Sequence, residues 1–290
     1  MAFTARTETY VNLASLTTPF DITVTKPTGT ADGDILFCWI AARYNGTDPI
    51  DSVPSGWTLL GYSGRLRTYY HYWLYYKIAS SEPTSWIWSF KASVKVRAVC
   101  SCYTSGDFDS SDPIDVVSNT SFIINNTACR AASMNVAYLN SPLIFWGGCY
   151  STASKTFTKP SIPTTGWVED DDAGSTTPDF WTEVCSMIWS GSGNTGFMDA
   201  TISASLGTKH AFAVTLKPIY KITAQIQAGR DAVTTYRSDH QALYSGGWYQ
   251  GISEDHTPLF NTLLAALSAQ GFSSLDEFST ASDACGDGWQ

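Results

Sequence analysis

The sequence predicts an all-β protein: a two-sheet sandwich with jelly-roll-like connections, built from two quasi-repeated halves and followed by a small C-terminal segment with short helices. Three observations carry this prediction. Short runs of apolar or alternating residues are bounded throughout by Gly, Pro, Asp and Ser, the punctuation of strands and turns. The order of those runs repeats once along the chain. The composition then changes after residue 219, where helix signals replace strand signals. The expected organisation is a sandwich over residues 1–219, with halves at about 20–115 and 135–219, and a mixed segment over 220–290.

The opening landmark is the stretch 26–60. Lys26-Pro27-Thr28-Gly29-Thr30-Ala31-Asp32-Gly33-Asp34 is turn chemistry, because Gly tolerates positive φ and Asp bonds back to nearby amides. Ile35-Leu36-Phe37-Cys38-Trp39-Ile40-Ala41-Ala42 follows, eight apolar residues without alternation. Such a run fits a strand buried on both faces or part of a helix, and its length and Gly/Pro flanks favour the strand. Pro54-Ser55-Gly56-Trp57 then turns the chain and delivers an indole to the next strand. Further on, Leu66 to Ala79 reads as a long aromatic strand. With period 2, Tyr70, Tyr72, Leu74 and Tyr76 share one face, and Tyr69, His71, Trp73 and Tyr75 the other. One face must be core. The face bearing Tyr69, His71, Trp73 and Tyr75 is the candidate contact face, either a stacking platform for ring-shaped ligands or a surface packed against a neighbouring subunit or a second layer. Strands are also expected at 86–90 and 94–103, and the polar stretch 105–126 reads as a solvated connector. Its Asp107, Asp109, Asp112 and Asp115 lack the closing Glu of an EF-hand loop.

The second half repeats these landmarks. Pro142-Leu143-Ile144-Phe145-Trp146 parallels Ile35-Leu36-Phe37-Cys38-Trp39, and Pro163-Thr164-Thr165-Gly166-Trp167 parallels the first Gly-Trp turn. Phe37 to Trp57 spans 20 positions and Phe145 to Trp167 spans 22. Strands follow at 184–189, 196–202 and 210–216, matching 74–79, 86–90 and 96–103. Beyond them, Tyr220, Ile222, Ala224 and Ile226 alternate as one more strand. Thr257 is a good N-cap with Pro258 at the first helical position, and Leu259, Phe260, Leu263, Leu264 and Leu267 form an apolar stripe ending before Gly271. Ser274 and Glu277 form a capping box for a second short helix.

Composition narrows the function classes. The 290 residues are 43% hydrophobic and 14% aromatic, enough for a sizeable core, so disorder is not expected. A net charge of −9 argues against a nucleic-acid partner, since few cations are available to replace phosphate counterions. No apolar run approaches a membrane span. Residues 1–6 lack the basic and apolar regions of a secretory leader, so folding in a cytosol is expected. The seven Cys, an odd number without a Cys-x-x-Cys pair, fit reduced thiols, with Cys285 the candidate for any bridge between subunits. His71, His210, His240 and His256 show no metal-ligand spacing, and no nucleophile elbow or phosphate loop is present. Glu169-Asp170-Asp171-Asp172 with Glu183 could supply a glycosidase carboxylate pair, but an acidic run beside Ala-Gly-Ser-Thr-Thr-Pro reads better as a solvated loop. No catalytic residue, metal ligand or cofactor is assigned.

The order Lys-Pro-Thr-Gly to Gly-Asp (residues 26–34), Pro54 to Thr58, Tyr75 to Ala79, Glu82-Pro83 and Pro113-Ile114-Asp115 resembles a recurrent β-sandwich module of virion structural proteins in tailed bacteriophages. The resemblance covers about residues 20–217 and contains no catalytic motif. It implies a non-enzymatic virion component, folded and assembled in the host cytoplasm and displayed on the particle. Tail fibre, baseplate or receptor contact is the first expectation and capsid decoration the second. Its partners would be other virion proteins and copies of itself, a trimer being favoured, with a host surface glycan as a further candidate. The rival class is a carbohydrate-binding module or glycan-cleaving enzyme using the Tyr69–Tyr75 face.

Overall fold

A computed structural model describes residues 5–13, 20–66, 69–91, 94–106, 108–122, 125–138, 140–161, 166–175, 179–191, 193–206, 208–218, 229, 231–236, 257–269, 275 and 278. The chain divides into two compact units, residues 1–218 and 219–290.

The first unit is all antiparallel β. Its first half contains β1 (Thr9–Leu13), β2 (Phe20–Thr25), β3 (Ile35–Arg43), β4 (Ile50–Ser52), β5 (Thr58–Leu66), β6 (Tyr70–Ile78), β7 (Ser85–Phe90) and β8 (Lys95–Tyr103). They form a large sheet, β1-β8-β3-β6-β5, and a small one, β2-β7-β4. The second half contains β9 (Ile114–Phe122), β10 (Asn126–Ala131), β11 (Asn135–Val136), β12 (Ser141–Tyr150), β13 (Phe157–Thr158), β14 (Val168–Ser175), β15 (Phe180–Trp189), β16 (Gly193–Asn194), β17 (Met198–Leu206) and β18 (Lys209–Leu216). Its sheets are β9-β18-β12-β15-β14 and β10-β17-β13, with β11-β16 as a separate ribbon. Leaving that ribbon aside, the two halves have the same strand order. Counted within a half, strands 1-8-3-6 and 2-7-4 follow the jelly-roll arrangement, while the fifth strand pairs with the sixth in the large sheet.

Each half is thus a complete sandwich, where the sequence suggested that two four-stranded halves share one. The reason lies in the polar strands. β9 lies within the expected connector at 105–126 and is the edge of its sheet, so Asp115, Asn119 and Thr120 on it are not buried. The halves accordingly begin at β1 and β9 instead of at residues 20 and 135.

The two large sheets pack against each other, which gives three apolar layers. Leu36, Cys38, Ile40 and Ala42 of β3 point into the first sandwich, while Ile35, Phe37, Trp39 and Ala41 point into the middle layer. Ile144 and Trp146 of β12 meet the latter there, with the Phe37 and Trp146 ring centroids 4.9 Å apart. Leu143 and Phe145 face the core of the second sandwich. A strand in such a sheet has no solvent face, so all eight residues 35–42 are apolar and buried. The ends of the two large sheets meet crosswise: Arg97 of β8, which also donates to Asn12 of the edge strand β1, reaches Asp171 of β14, and Asn119 of β9 donates to the Tyr62 carbonyl of β5 at 2.9 Å. Since β5 corresponds to β14 and β1 to β9, the halves are related by an approximate two-fold.

Local detail repeats as well. Gly56 (φ 84°) and Gly166 (φ 132°) hold a backbone conformation that side chains disfavour, and each swings the following indole inward. Trp57 is 8% exposed in the first sandwich core and Trp167 is 3% exposed in the second. Two residues after each Trp comes a bulge, between Leu59 and Gly61 in β5 and between Glu169 and Asp171 in β14. Six Cys (38, 100, 102, 129, 149 and 185) are buried and free, and Cys285 lies outside the described residues.

In the second unit, α1 runs Thr257–Ala269, starting at the expected cap. Leu263 and Leu267 are buried with Val233 and Phe278 in a small core of their own. Among the described residues no helix is long and apolar enough to cross a membrane. The strand expected at 220–226 and most of the second short helix lie outside the described residues.

Candidate functional site

The aromatic face proposed from the sequence is corrected by the fold. His71 and Trp73 are fully buried and Tyr75 is 5% exposed; only Tyr69, in the turn before β6, reaches solvent at 41%. β6 lies between β3 and β5 in a sheet covered on both sides, so its two faces serve two different cores. Tyr72 and Leu74 enter the middle layer, and Trp73 and Tyr75 enter the first sandwich. His71 is held by the Tyr62 hydroxyl at Nδ1 (2.9 Å) and lies 3.2 Å from the Tyr44 carbonyl at Nε2. Tyr62 stacks on Trp73 at 5.4 Å. This is second-layer packing, and an unalternating aromatic run is its sequence signal. Of the four predicted residues only Tyr69 offers a ligand an exposed ring, 5.9 Å from the Arg43 guanidinium.

The acidic run, expected as a loop, is strand β14, paired with β15. Its bulge places one extra residue, Asp170, between two pairs of the ladder, and this sorts the four acids onto two faces. Asp170 and Asp171 turn to the middle layer. There the Tyr103 hydroxyl donates to Asp170 Oδ2 (2.9 Å), and the buried Arg97 guanidinium lies 3.7 Å from Asp171 Oδ2 while donating to Thr182 Oγ1 (2.9 Å) and Asn12 Oδ1 (2.7 Å). Burial pushes both carboxyls up to about 6, against the opposing pull of Ser186 and Tyr103 on Asp170 and of Arg97 on Asp171. Glu8 joins this group; burial, then the Asp171 charge, holds its carboxyl well above the usual range.

Glu169 and Asp172 turn the other way, and Asp172 stands opposite Glu183 in the ladder. One carboxylate oxygen from each of Glu169, Asp172 and Glu183 lies within 4.8 Å of the others. Glu169 is exposed, Asp172 half-buried and Glu183 fully buried. The Phe157 amide donates to Asp172 Oδ2 at 3.2 Å. Neither oxygen of Glu183 meets a hydrogen-bond donor in bonding geometry among the described residues. Burial, followed by the charges of Glu169 and Asp172, pushes Glu183 up to about 9. The spacing alone would suit a pair of glycosidase carboxylates, but a fully covered Glu183 cannot touch a sugar. What the set can do chemically is share protons or hold a hard cation. The sequence showed the acids and missed the grouping, because the bulge that brings positions 169 and 172 to one face carries no residue signature.

The 26–34 turn is architectural. Asp34 accepts from Arg6 Nε (2.6 Å) and from the amides of Ala31 and Ser105 (both 2.8 Å), which fastens the loop to the end of β8. Arg6, then the two amides, outweigh the effect of burial and hold its carboxyl below the usual range. Compared with known proteins, the chain matches no family model, no curated protein and no solved structure.

Proposed function

We propose that this chain is a non-enzymatic structural component of a tailed-phage virion, displayed on the particle surface at the tail (fibre, baseplate or receptor contact), with capsid decoration as the other placement. One observation carries the reading: the residues that resemble the virion module are spent on building the sandwich. Asp34 fastens the 26–34 turn, and Trp57 fills the first core against Trp86 and Trp88 at 5.1 and 5.2 Å. Glu82 accepts from Trp86 Nε1 (3.0 Å) and pairs with Lys77 (2.9 Å). The fused pair of sandwiches suits a load-bearing module. Its partners are then other virion proteins and further copies of the chain, a trimer being favoured, with residues 220–290 as the attachment segment.

Purified particles test this directly. The expected result is that mass spectrometry finds the chain at a fixed stoichiometry in gradient-purified virions and that gold-labelled antibody decorates the tail. Label on the head would move the placement to capsid decoration. Abundance in the lysate with absence from intact particles would refute the virion assignment.

A further inference from the structure

We propose that Glu169, Asp172 and Glu183 bind a divalent cation of the hard, oxygen-seeking class, calcium first, on the outward side of β14 and β15 in the second sandwich. Glu183 is the observation that asks for a ligand. It is fully buried, its oxygens meet no N–H or O–H donor among the described residues and only the weak Cys185 thiol beside them, and two further carboxylates lie within 4.8 Å. A buried anion without a partner is costly, and adding like charges beside it makes it more so. Lys159, whose charge acts on the neighbouring Cys185, donates to the Trp167 carbonyl at 2.7 Å. Arg97 serves the opposite face of β14, at Asp171.

The geometry fits calcium. Oxygens at ~2.3–2.6 Å from a shared Ca²⁺ can stand up to about 4.6–5.2 Å apart, which admits three oxygens within 4.8 Å of one another, and the flexible calcium shell tolerates an irregular set of ligands. The Phe157 amide donates to Asp172 Oδ2, an orienting contact of the kind that holds a ligating carboxylate in place. Exposed Glu169 supplies the way in from solvent, and water completes the shell.

The first half shows that the fold does not need acids here. The register places Leu59, Tyr62 and Trp73 where the second half has Glu169, Asp172 and Glu183, with the same bulge in the same place. There the site is filled by the Tyr62–Trp73 stack. A stable apolar solution therefore exists at this position, and the second half carries three carboxylates instead.

The test uses the full chain stripped with chelator and titrated with Ca²⁺, Mg²⁺ or Mn²⁺ chlorides. Calcium at about 100-fold over its Kd should raise Tm by roughly 5–10 °C. Calorimetry should show one calcium ion bound per chain. Glu183→Gln should keep the chelated protein at least as stable as the parent and weaken calcium binding at least tenfold; Asp172→Asn gives a second variant with the same expected loss. A larger response to Mg²⁺ or Mn²⁺ than to Ca²⁺ would overturn the choice of calcium. No response to any of the three, or an unchanged response in both variants, would overturn the site. Virion proteomics is independent of these readouts, so the two proposals fail separately.

Discussion

Replacing Gly148 by Ala tests the contact between the two sandwiches. Gly148 of β12 faces Trp39 of β3 across the middle layer, and a Cβ there would stand 2.4 Å from indole Cζ2 and 2.9 Å from Cη2. Ordinary contact begins near 3.4 Å, so either the indole or the sheet must give by about 1 Å. Trp39 is 1% exposed in a layer closed by two large sheets, which leaves the ring little freedom to retreat. Overpacking of this kind costs roughly 1–3 kcal/mol, against a gain of roughly 0.5–1 kcal/mol for removing a strand glycine. The net expectation is a loss of about 1–2 kcal/mol, or some 2–8 °C in Tm. Urea unfolding followed by fluorescence and far-UV dichroism measures it, and Trp39→Phe, which opens space at the same spot, completes a double-mutant cycle. The two substitutions should be non-additive by at least 0.5 kcal/mol, with the double variant more stable than the sum predicts. A neutral or stabilising Gly148→Ala, or additive behaviour, would show that the sheets do not interlock through Trp39.

Four further outcomes are expected. Trp57→Ala and Trp167→Ala should each cost roughly 3–5 kcal/mol, and both indoles should resist acrylamide quenching in the native protein. Acids with folded pKa values above their unfolded ones favour folding most below the unfolded value and lose that contribution as pH rises through the folded value. Asp170 and Asp171 therefore act between about pH 4 and 6, and Glu183 up to about 9. His210, pushed by burial down to about 3, works in the opposite sense as pH falls below about 6.5. Between pH 6.5 and 9 the chelated protein should thus lose stability as pH rises, and Glu183→Gln should flatten that fall in the urea midpoint. The six buried thiols should ignore a thiol-specific disulfide reagent until the chain is unfolded, because burial raises them, Cys102 to about 11 and Cys129 to about 12. Deleting residues 219–290 should leave a cooperatively melting β protein that is monomeric by light scattering; an insoluble product would make that unit part of the fold's core.

The strands that were legible in the sequence are those whose side chains answer to a core. Residues 35–42 and 142–146 read as doubly buried because each neighbouring position faces a different apolar layer. The Gly-Trp turns revealed the repeat because positive φ and a buried indole both limit the residues allowed. β9 was hidden, since an edge strand can carry Asp, Ser, Asn and Thr without cost. β14 was hidden for a related reason: four acids in a row signal solvent, and only the ladder with β15 shows that two of them turn inward to Tyr103 and Arg97. The Tyr69–Tyr75 face failed because period 2 tells which residues share a side but not whether that side is covered. The number of sheets decides that, and it is a tertiary fact.

The approximate two-fold between the sandwiches has a geometric consequence. Within residues 1–218 the small sheets β2-β7-β4 and β10-β17-β13 are the outer layers and look in opposite directions. With stacked sheets ~10 Å apart, their backbones stand roughly 30 Å from each other. Within this unit a partner gripping one of these faces leaves the other on the far side, so the fused sandwiches can be held by one sheet and present the other, without a linker between the two tasks.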